Sequence, residues 1–204
     1  MDYEVMRCAF ESQNELGRLC DEIIYRNDLA ARLQAAGLIP VHKEVPITVK
    51  HRDFAKTYRM DLVVGNTGVY ELKTEARLAV DHEAQLLNYL FLCGASHGKL
   101  VNFRPPQVES RFVNSMLNPG RRKQFDVDTR RWRDLDGGSL ILRISLLEML
   151  QDWGNSLELS LYTEAVIHFL GGEAKVAKVM ELRRAEPRWG ISASTSWVRT
   201  PHFA

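Results

Sequence analysis

Cysteine is scarce in this 204-residue chain: Cys8, Cys20 and Cys93 are scattered, odd in number and without C-x-x-C spacing. Three such thiols exclude an all-cysteine iron–sulfur cluster, which takes four thiolates, and argue against a structural zinc. They fit free thiols in a reducing cytoplasm, the location expected here. No run is long and apolar enough to cross a membrane, and the N-terminus lacks a signal-peptide pattern. An excess of one charge is also missing. The formal net charge is +1, so a nucleic-acid partner would have to meet a local positive surface rather than a global basic field. P-loop, dinucleotide fingerprint and nucleophile elbow are all absent, and no nucleotide cofactor is expected. The six histidines are not spaced as a metal set, and His51, His82 and His97 read as surface or rim residues. What remains is ordinary for a globular protein, 45% hydrophobic and 26% charged, with room for one large domain or a domain and an appended piece.

The informative stretch lies between Asp61 and Tyr89. Asp61 interrupts the apolar run Met60–Val64, and Glu71 and Lys73 bracket Leu72 in the run Val69–Lys73. Both runs read as strands, joined by a hairpin across Gly65–Gly68, where glycine supplies positive φ. Pairing of 64 with 69 brings 61 or 62 opposite 71 or 72. Strand alternation puts Glu71 and Lys73 on one face and Leu72 on the other. Two carboxylates and an ammonium then converge, a set that suits a hard divalent cation with water and phosphate completing its shell. The ammonium beside it can orient or deprotonate the attacking water, or offset charge developing on phosphorus. A surface hairpin carrying a Glu–Lys pair of little energetic weight is the alternative. Asp61 weighs against it, because a buried carboxylate needs a partner or a metal.

Residues 11–36 read as one long helix with Leu19, Glu22, Arg26, Leu29 and Leu33 on its inward stripe, ended by Gly37 and Pro40. Glu22 is thus either an i, i+4 partner of Arg26 or a further acid facing the cation. Val41–Val49 reads as a strand, with Pro46 suggesting an edge or bulge, and a polar, basic link over 50–57 leads to the Asp61 strand. A second helix follows from Asp81 to about Gly94. It sets Gln85 and Tyr89 four residues apart, over the same place, either as a tyrosine at a core rim or as contacts to phosphate oxygens or a base edge. Lys99–Phe103 and Val108–Val113 complete the strands. From about residue 114 the character changes. Arg121–Lys123 and Arg130–Arg133, with Trp132 able to stack on a base, form either a DNA-facing rim or a solvated surface beside Asp126, Asp128, Asp134 and Asp136. Helices are expected over 139–153 and 156–169, and little period is left after Gly171.

Asp61, then Glu71-Leu72-Lys73, then Gln85-x-x-x-Tyr89 resembles the PD-(D/E)XK nuclease superfamily, in its RecB-like branch. Over roughly residues 10–115 the chain is similar to the GxxExxR proteins of that superfamily, through Glu15–Gly17, Asp21–Tyr25, Tyr58–Asp61, Val69–Lys73, His82–Leu90 and Leu100–Phe103. It departs from the motif naming that group: Leu19 stands at the glycine and Tyr25 at the arginine, while Glu22 is kept. The resemblance implies an α/β fold, a restriction-endonuclease-like sandwich whose central mixed sheet is flanked by helices. Residues 1–115 would be that core and 116–204 a mainly helical extension. It implies Asp61, Glu71 and the Leu72 carbonyl as ligands of Mg²⁺ or Mn²⁺, Lys73 as the catalytic lysine, Glu22 as the helical acid, and Gln85 and Tyr89 at the substrate. DNA is the expected partner. A nuclease fold that binds nucleic acid or protein without turnover is the alternative.

Overall fold

The computed structural model describes residues 1–116 and 119–176, with the two-residue strands at 180–181 and 197–198. Helices α1 (Asp2–Leu16) and α2 (Glu22–Ala35) come first, followed by strands β1 (Val41–His51), β2 (Phe54–Val64) and β3 (Gly68–Lys73). Helix α3 (Val80–Cys93) then leads to β4 (His97–Asn102) and β5 (Glu109–Asn114). The five strands form one sheet in chain order, parallel between β3 and β4 and antiparallel elsewhere. The single parallel join is where α3 makes the crossover that parallel strands require. β1 is an edge strand, which accommodates Pro46. The result is the α/β sandwich with a mixed sheet and flanking helices that the sequence led us to expect.

Alternation sorts the strand side chains onto two cores. Leu62, Val64, Tyr70, Leu72, Val101 and Phe103 pack with Val5, Tyr25, Leu29 and Leu33 of α1 and α2. Met60, Val69, Leu100 and Val113 pack with Leu86, Tyr89 and Leu90 of α3. The hairpin register pairs Val64 with Gly68 and Leu62 with Tyr70, and Gly65 supplies the positive φ of 62° in the turn.

Several expectations are corrected. The single helix over 11–36 is two, broken at Gly17 (φ 78°) and resumed after Asp21. The break lets the buried Tyr25 hydroxyl donate to the Gly17 carbonyl at 2.5 Å while its ring stacks on Phe103, centroids 4.3 Å apart. Leu19, expected inward, lies in the break and is 78% exposed. The basic link over 50–57 is instead the tip of a long hairpin, since β1 runs to His51 and β2 starts at Phe54. His51, expected at the surface or rim, is buried, its Nδ1 2.5 Å from Asp152 Oδ2.

The chain divides into two compact units, one comprising residues 1–126 with 150–158, the other 127–149 with 159–204. Helix α4 (Pro119–Arg122) belongs to the first. Helix α5 (Gly137–Trp153) gives its last turn to the first unit and the rest to the second, which also holds α6 (Leu159–Phe169), α7 (Glu173–Val176) and the antiparallel pair β6 (Met180–Glu181) and β7 (Trp197–Val198). Arg130 pairs with Asp128, Arg143 with Asp134, and Trp132 Nε1 donates to Asp134. These contacts engage Arg130 and Trp132 of the second basic cluster locally. Most of the aperiodic stretch after Gly171 lies outside the described residues. No helix among the described residues is long and apolar enough to cross a membrane, and the three cysteines are free.

Candidate active site

The site grows out of a local failure of strand pairing. β2 and β3 share rungs only from Leu62–Tyr70 to Val64–Gly68. Beyond them the strands part, and the Asp61 side chain fills the gap: its Oδ2 accepts the Leu72 backbone N–H at 2.9 Å, replacing the lost ladder bond. On its other flank, β1 pairs Lys43 with Leu62 and Val45 with Met60 but skips Glu44, which sits at φ 49°. The alternation of side chains breaks at the same point, since Leu62 belongs to the core under α1 and α2 and Met60 to the core under α3. A carboxylate held at such a kink is fixed by backbone rather than by flexible neighbours.

Arg26 of α2 reaches this kink. Its Nη1 donates to Asp61 Oδ1 and its Nη2 lies beside Glu44 Oε1, both at 2.8 Å. Glu71 follows on β3, 3% exposed. Lys73 Nζ donates to Glu71 Oε1 at 2.7 Å, while Glu71 Oε2 is buried without a hydrogen-bond partner. Burial, reinforced by the charge of Asp61, pushes the Glu71 carboxyl up to about 7 against the pull of Lys73. Burial would draw the Lys73 ammonium down, but Glu71, Glu22 and Asp61 outweigh it and hold the group above its ordinary value. Glu22, half-buried at the start of α2, is raised by burial and then by Asp61. These four residues therefore feel one another's charge.

α3 supplies the far wall. Gln85 Nε2 donates to the Tyr89 hydroxyl at 3.0 Å. Burial and the nearby Glu71 charge push Tyr89 up to about 12, so its proton stays on. The Tyr58 ring meets Tyr89 edge-on at 6.1 Å, and the Tyr58 hydroxyl donates to Glu158 Oε1 at 2.5 Å. Behind β3 the chain is clamped by Asn102, whose amide oxygen accepts from the Glu75 and Arg104 N–H groups and whose Nδ2 donates to the Glu75 carbonyl.

The structure thus brings Glu22, Asp61, Glu71, Lys73, Gln85 and Tyr89 to one end of the sheet, with the Leu72 side chain in the opposite core and its backbone at Asp61. Arg26 was missed. Its position on the inward stripe of α2 is a signal, and the spacing offers it Glu22 as one possible partner, but its guanidinium goes to Asp61 and Glu44. Tyr58 and Asn102 lie in stretches that carry the resemblance, but their contacts, and those of Glu158, have no local signal, because the partners lie 27 to 100 residues away in the chain. Among the described residues, no three or more His, Cys, Asp or Glu side chains group so as to hold a metal. Asp61 and Glu71 are two carboxylates, a number that suffices for Mg²⁺ when water and phosphate supply the rest.

Residues 1–113 match the family model of the PD-(D/E)XK nuclease superfamily. A solved structure described as "Crystal structure of SSO0001" is similar at 22% identity and a TM-score of 0.36, over 58% of this chain and 68% of that one. No curated protein matches. The family match takes in α1 through nearly all of β5, more than half of the chain, and on that extent the chain belongs to the PD-(D/E)XK nuclease superfamily.

Proposed function

We propose that the protein is a divalent-metal-dependent nuclease that hydrolyses DNA phosphodiester bonds. We read it as a member of the GxxExxR group of the RecB-like branch, with residues 1–115 as the nuclease core and 116–204 as an extension. Superfamily membership suggests a nuclease. The observation that carries the finer reading is the buried Glu71 Oε2, which has no hydrogen-bond partner beside a second buried carboxylate and an ammonium. A desolvated, orphaned carboxylate oxygen is costly for folding alone and is accounted for by a cation.

Asp61 and Glu71 would hold Mg²⁺ or Mn²⁺, which when bound supplies Lewis acidity at a phosphoryl oxygen and a water of lowered pKa. The Leu72 carbonyl is the third group in reach. In a strand the N–H and C=O of one residue point to the same side, and the Leu72 N–H points to Asp61. Lys73, kept protonated by Glu71, positions the attacking water and offsets charge developing on phosphorus. Glu22 is a proton-exchanging acid at the mouth of the site. Gln85 and Tyr89, tied together and both able to donate, bind phosphate oxygens or a base edge.

One observation favours a second reading, a nuclease fold that binds nucleic acid or protein without turnover. Arg26 already neutralises Asp61 where a metal would. Incubating plasmid and linear single-stranded DNA with Mg²⁺, Mn²⁺ or chelator, alongside Asp61→Ala and Lys73→Ala, separates the two. Metal-dependent cleavage lost in both variants is expected. Cleavage that survives both rejects the assignment, and binding without cleavage under either metal favours the second reading. By calorimetry, Glu71→Gln should weaken metal binding and Glu75→Gln should not.

A further inference from the structure

Two buried amides hold one short stretch of backbone at the exit of β4. Gln13 of α1, 5% exposed, donates its Nε2 to the Phe103 carbonyl at 2.7 Å and to the Pro105 carbonyl at 2.9 Å. Asn102, fully buried, accepts the Arg104 N–H at 3.3 Å and ties in the Glu75 backbone. The residue held between these two amides is Arg104, and Pro105 narrows its backbone further. Its side chain is anchored as well. Arg104 Nε donates to the Thr74 carbonyl at 3.0 Å, one residue past Lys73. Among the described residues nothing takes its Nη1 or Nη2, and no acid pairs with it.

This fixed cation sits beside the candidate site. Asn102 is the rung partner of Lys73, and the Phe103 N–H donates to the Lys73 carbonyl at 2.8 Å. Leu100 packs under α3 while Val101 and Phe103 pack under α1 and α2, so Asn102 shares the face of Glu71 and Lys73. With Nε on the Thr74 carbonyl, standard chain dimensions keep that nitrogen within about 9 Å of the Lys73 Cα. Such a reach is two to three nucleotide steps at about 3.4 Å each. The neighbouring cations differ from it. Arg26 is paired with Asp61 and Lys73 with Glu71, whereas Arg104 meets only a neutral carbonyl. A strap between the exits of β3 and β4 needs one N–H, which a neutral side chain supplies. A half-buried guanidinium that keeps its charge and its two outer nitrogens is a fork for a phosphate group. We infer that Arg104 is a substrate-binding residue that grips a phosphate flanking the one presented to Glu71 and Lys73. The inference deepens the nuclease reading and rests on it for the identity of the anion. Fixing the fork before the strand arrives lowers the ordering cost of binding.

The test is fluorescence anisotropy with labelled single- and double-stranded DNA, in chelator, across a salt series. Arg104→Gln is compared with Arg104→Lys and with Arg7→Gln, which removes an equal charge on α1 where Glu4 and Glu11 already pair it. Thermal melts establish which variants fold. Arg104→Gln should bind about tenfold more weakly, with the log–log salt slope reduced by about 0.7 on single strands or about 0.9 on duplex, the loss of one phosphate contact. Arg104→Lys should keep the wild-type slope and only part of the affinity, since an ammonium cannot both hold Thr74 and offer a fork. Arg7→Gln should match wild type. A strap alone would lower the melting temperature of Arg104→Gln and leave its affinity and slope at wild-type values. That result overturns the inference, as do equal loss in Arg7→Gln and no binding by wild type. If Arg104→Gln fails to fold, Arg104→Lys decides, and wild-type affinity there overturns the inference. Cleavage with Mg²⁺ or Mn²⁺, read in parallel, keeps the two ideas apart. A wild type that binds through Arg104 but never cuts sinks the nuclease reading alone. One that cuts, while Arg104→Gln binds and cuts just as well, sinks the role of Arg104 alone.

Discussion

Replacing Glu71 with glutamine keeps the side chain's volume and an acceptor for Lys73 while removing its titratable charge. In the folded protein the Glu71 carboxyl is raised from 4.5 to about 7, first by burial and then by Asp61. A folded value above the unfolded one means that the group's contribution to stability is fully present below pH 4.5 and is lost as pH rises through about 7. The gap corresponds to about 3 kcal/mol, of which roughly 2–3 kcal/mol disappears between pH 5 and 8. Lys73 is raised from its ordinary 10.5, so its own contribution is lost only above that range. Glu22 slopes the same way as Glu71, which makes the difference between wild type and variant the quantity to read. Urea denaturation followed by circular dichroism at pH 5, 6, 7 and 8 in chelator should show wild type losing roughly 2–3 kcal/mol more than Glu71→Gln across the series. Adding Mg²⁺ or Mn²⁺ at pH 8 should return stability to wild type and not to the variant, because a ligand that binds only the folded state stabilises it. Parallel pH profiles for the two proteins would refute the claim that Glu71 is held out of water beside a second acid.

Arg26→Met should cost about 3–5 kcal/mol at pH 8, since it leaves Asp61 buried without its cation. Adding Asp61→Asn should recover part of that loss in denaturation curves, and no recovery would mean that Arg26 acts through Glu44 or its stem. Asn102→Ala should cost about 2–3 kcal/mol by stranding the backbone groups its amide serves. Hydrogen exchange at the Glu75 and Arg104 amides should accelerate with it. Tyr25→Phe, which removes the hydroxyl's bond to the Gly17 carbonyl, should lower stability by about 1 kcal/mol in the same assay.

Local pattern alone carried β1, β3, β4, β5, the β2–β3 turn and α3 to within a few residues, whereas β2 begins at Phe54, well before the expected Met60. Alternation over Val69–Lys73 assigned Glu71 and Lys73 to one face and Leu72 to the other, and i, i+4 spacing joined Gln85 to Tyr89. These are consequences of strand and helix periods, which the covalent chain imposes on any short stretch. The break at Gly17 escaped because the helical period persists across it. What outweighs that period is Tyr25 reaching back to the Gly17 carbonyl while stacked on Phe103, a residue 78 positions further on. The pairing of Arg26 with Asp61 and Glu44 was likewise invisible, since no spacing rule links α2 to a kink shared by β1 and β2. Nor did the basic composition of residues 50–57 reveal a hairpin tip, where His51 meets Asp152 and Lys56 meets Glu158, each about a hundred residues further on. The sequence by itself determined which charges sit on which side of each element. Only the tertiary structure decided which of them meet, because that depends on where strands stop pairing, and pairing ends where contacts distant in the chain make a side chain the better partner.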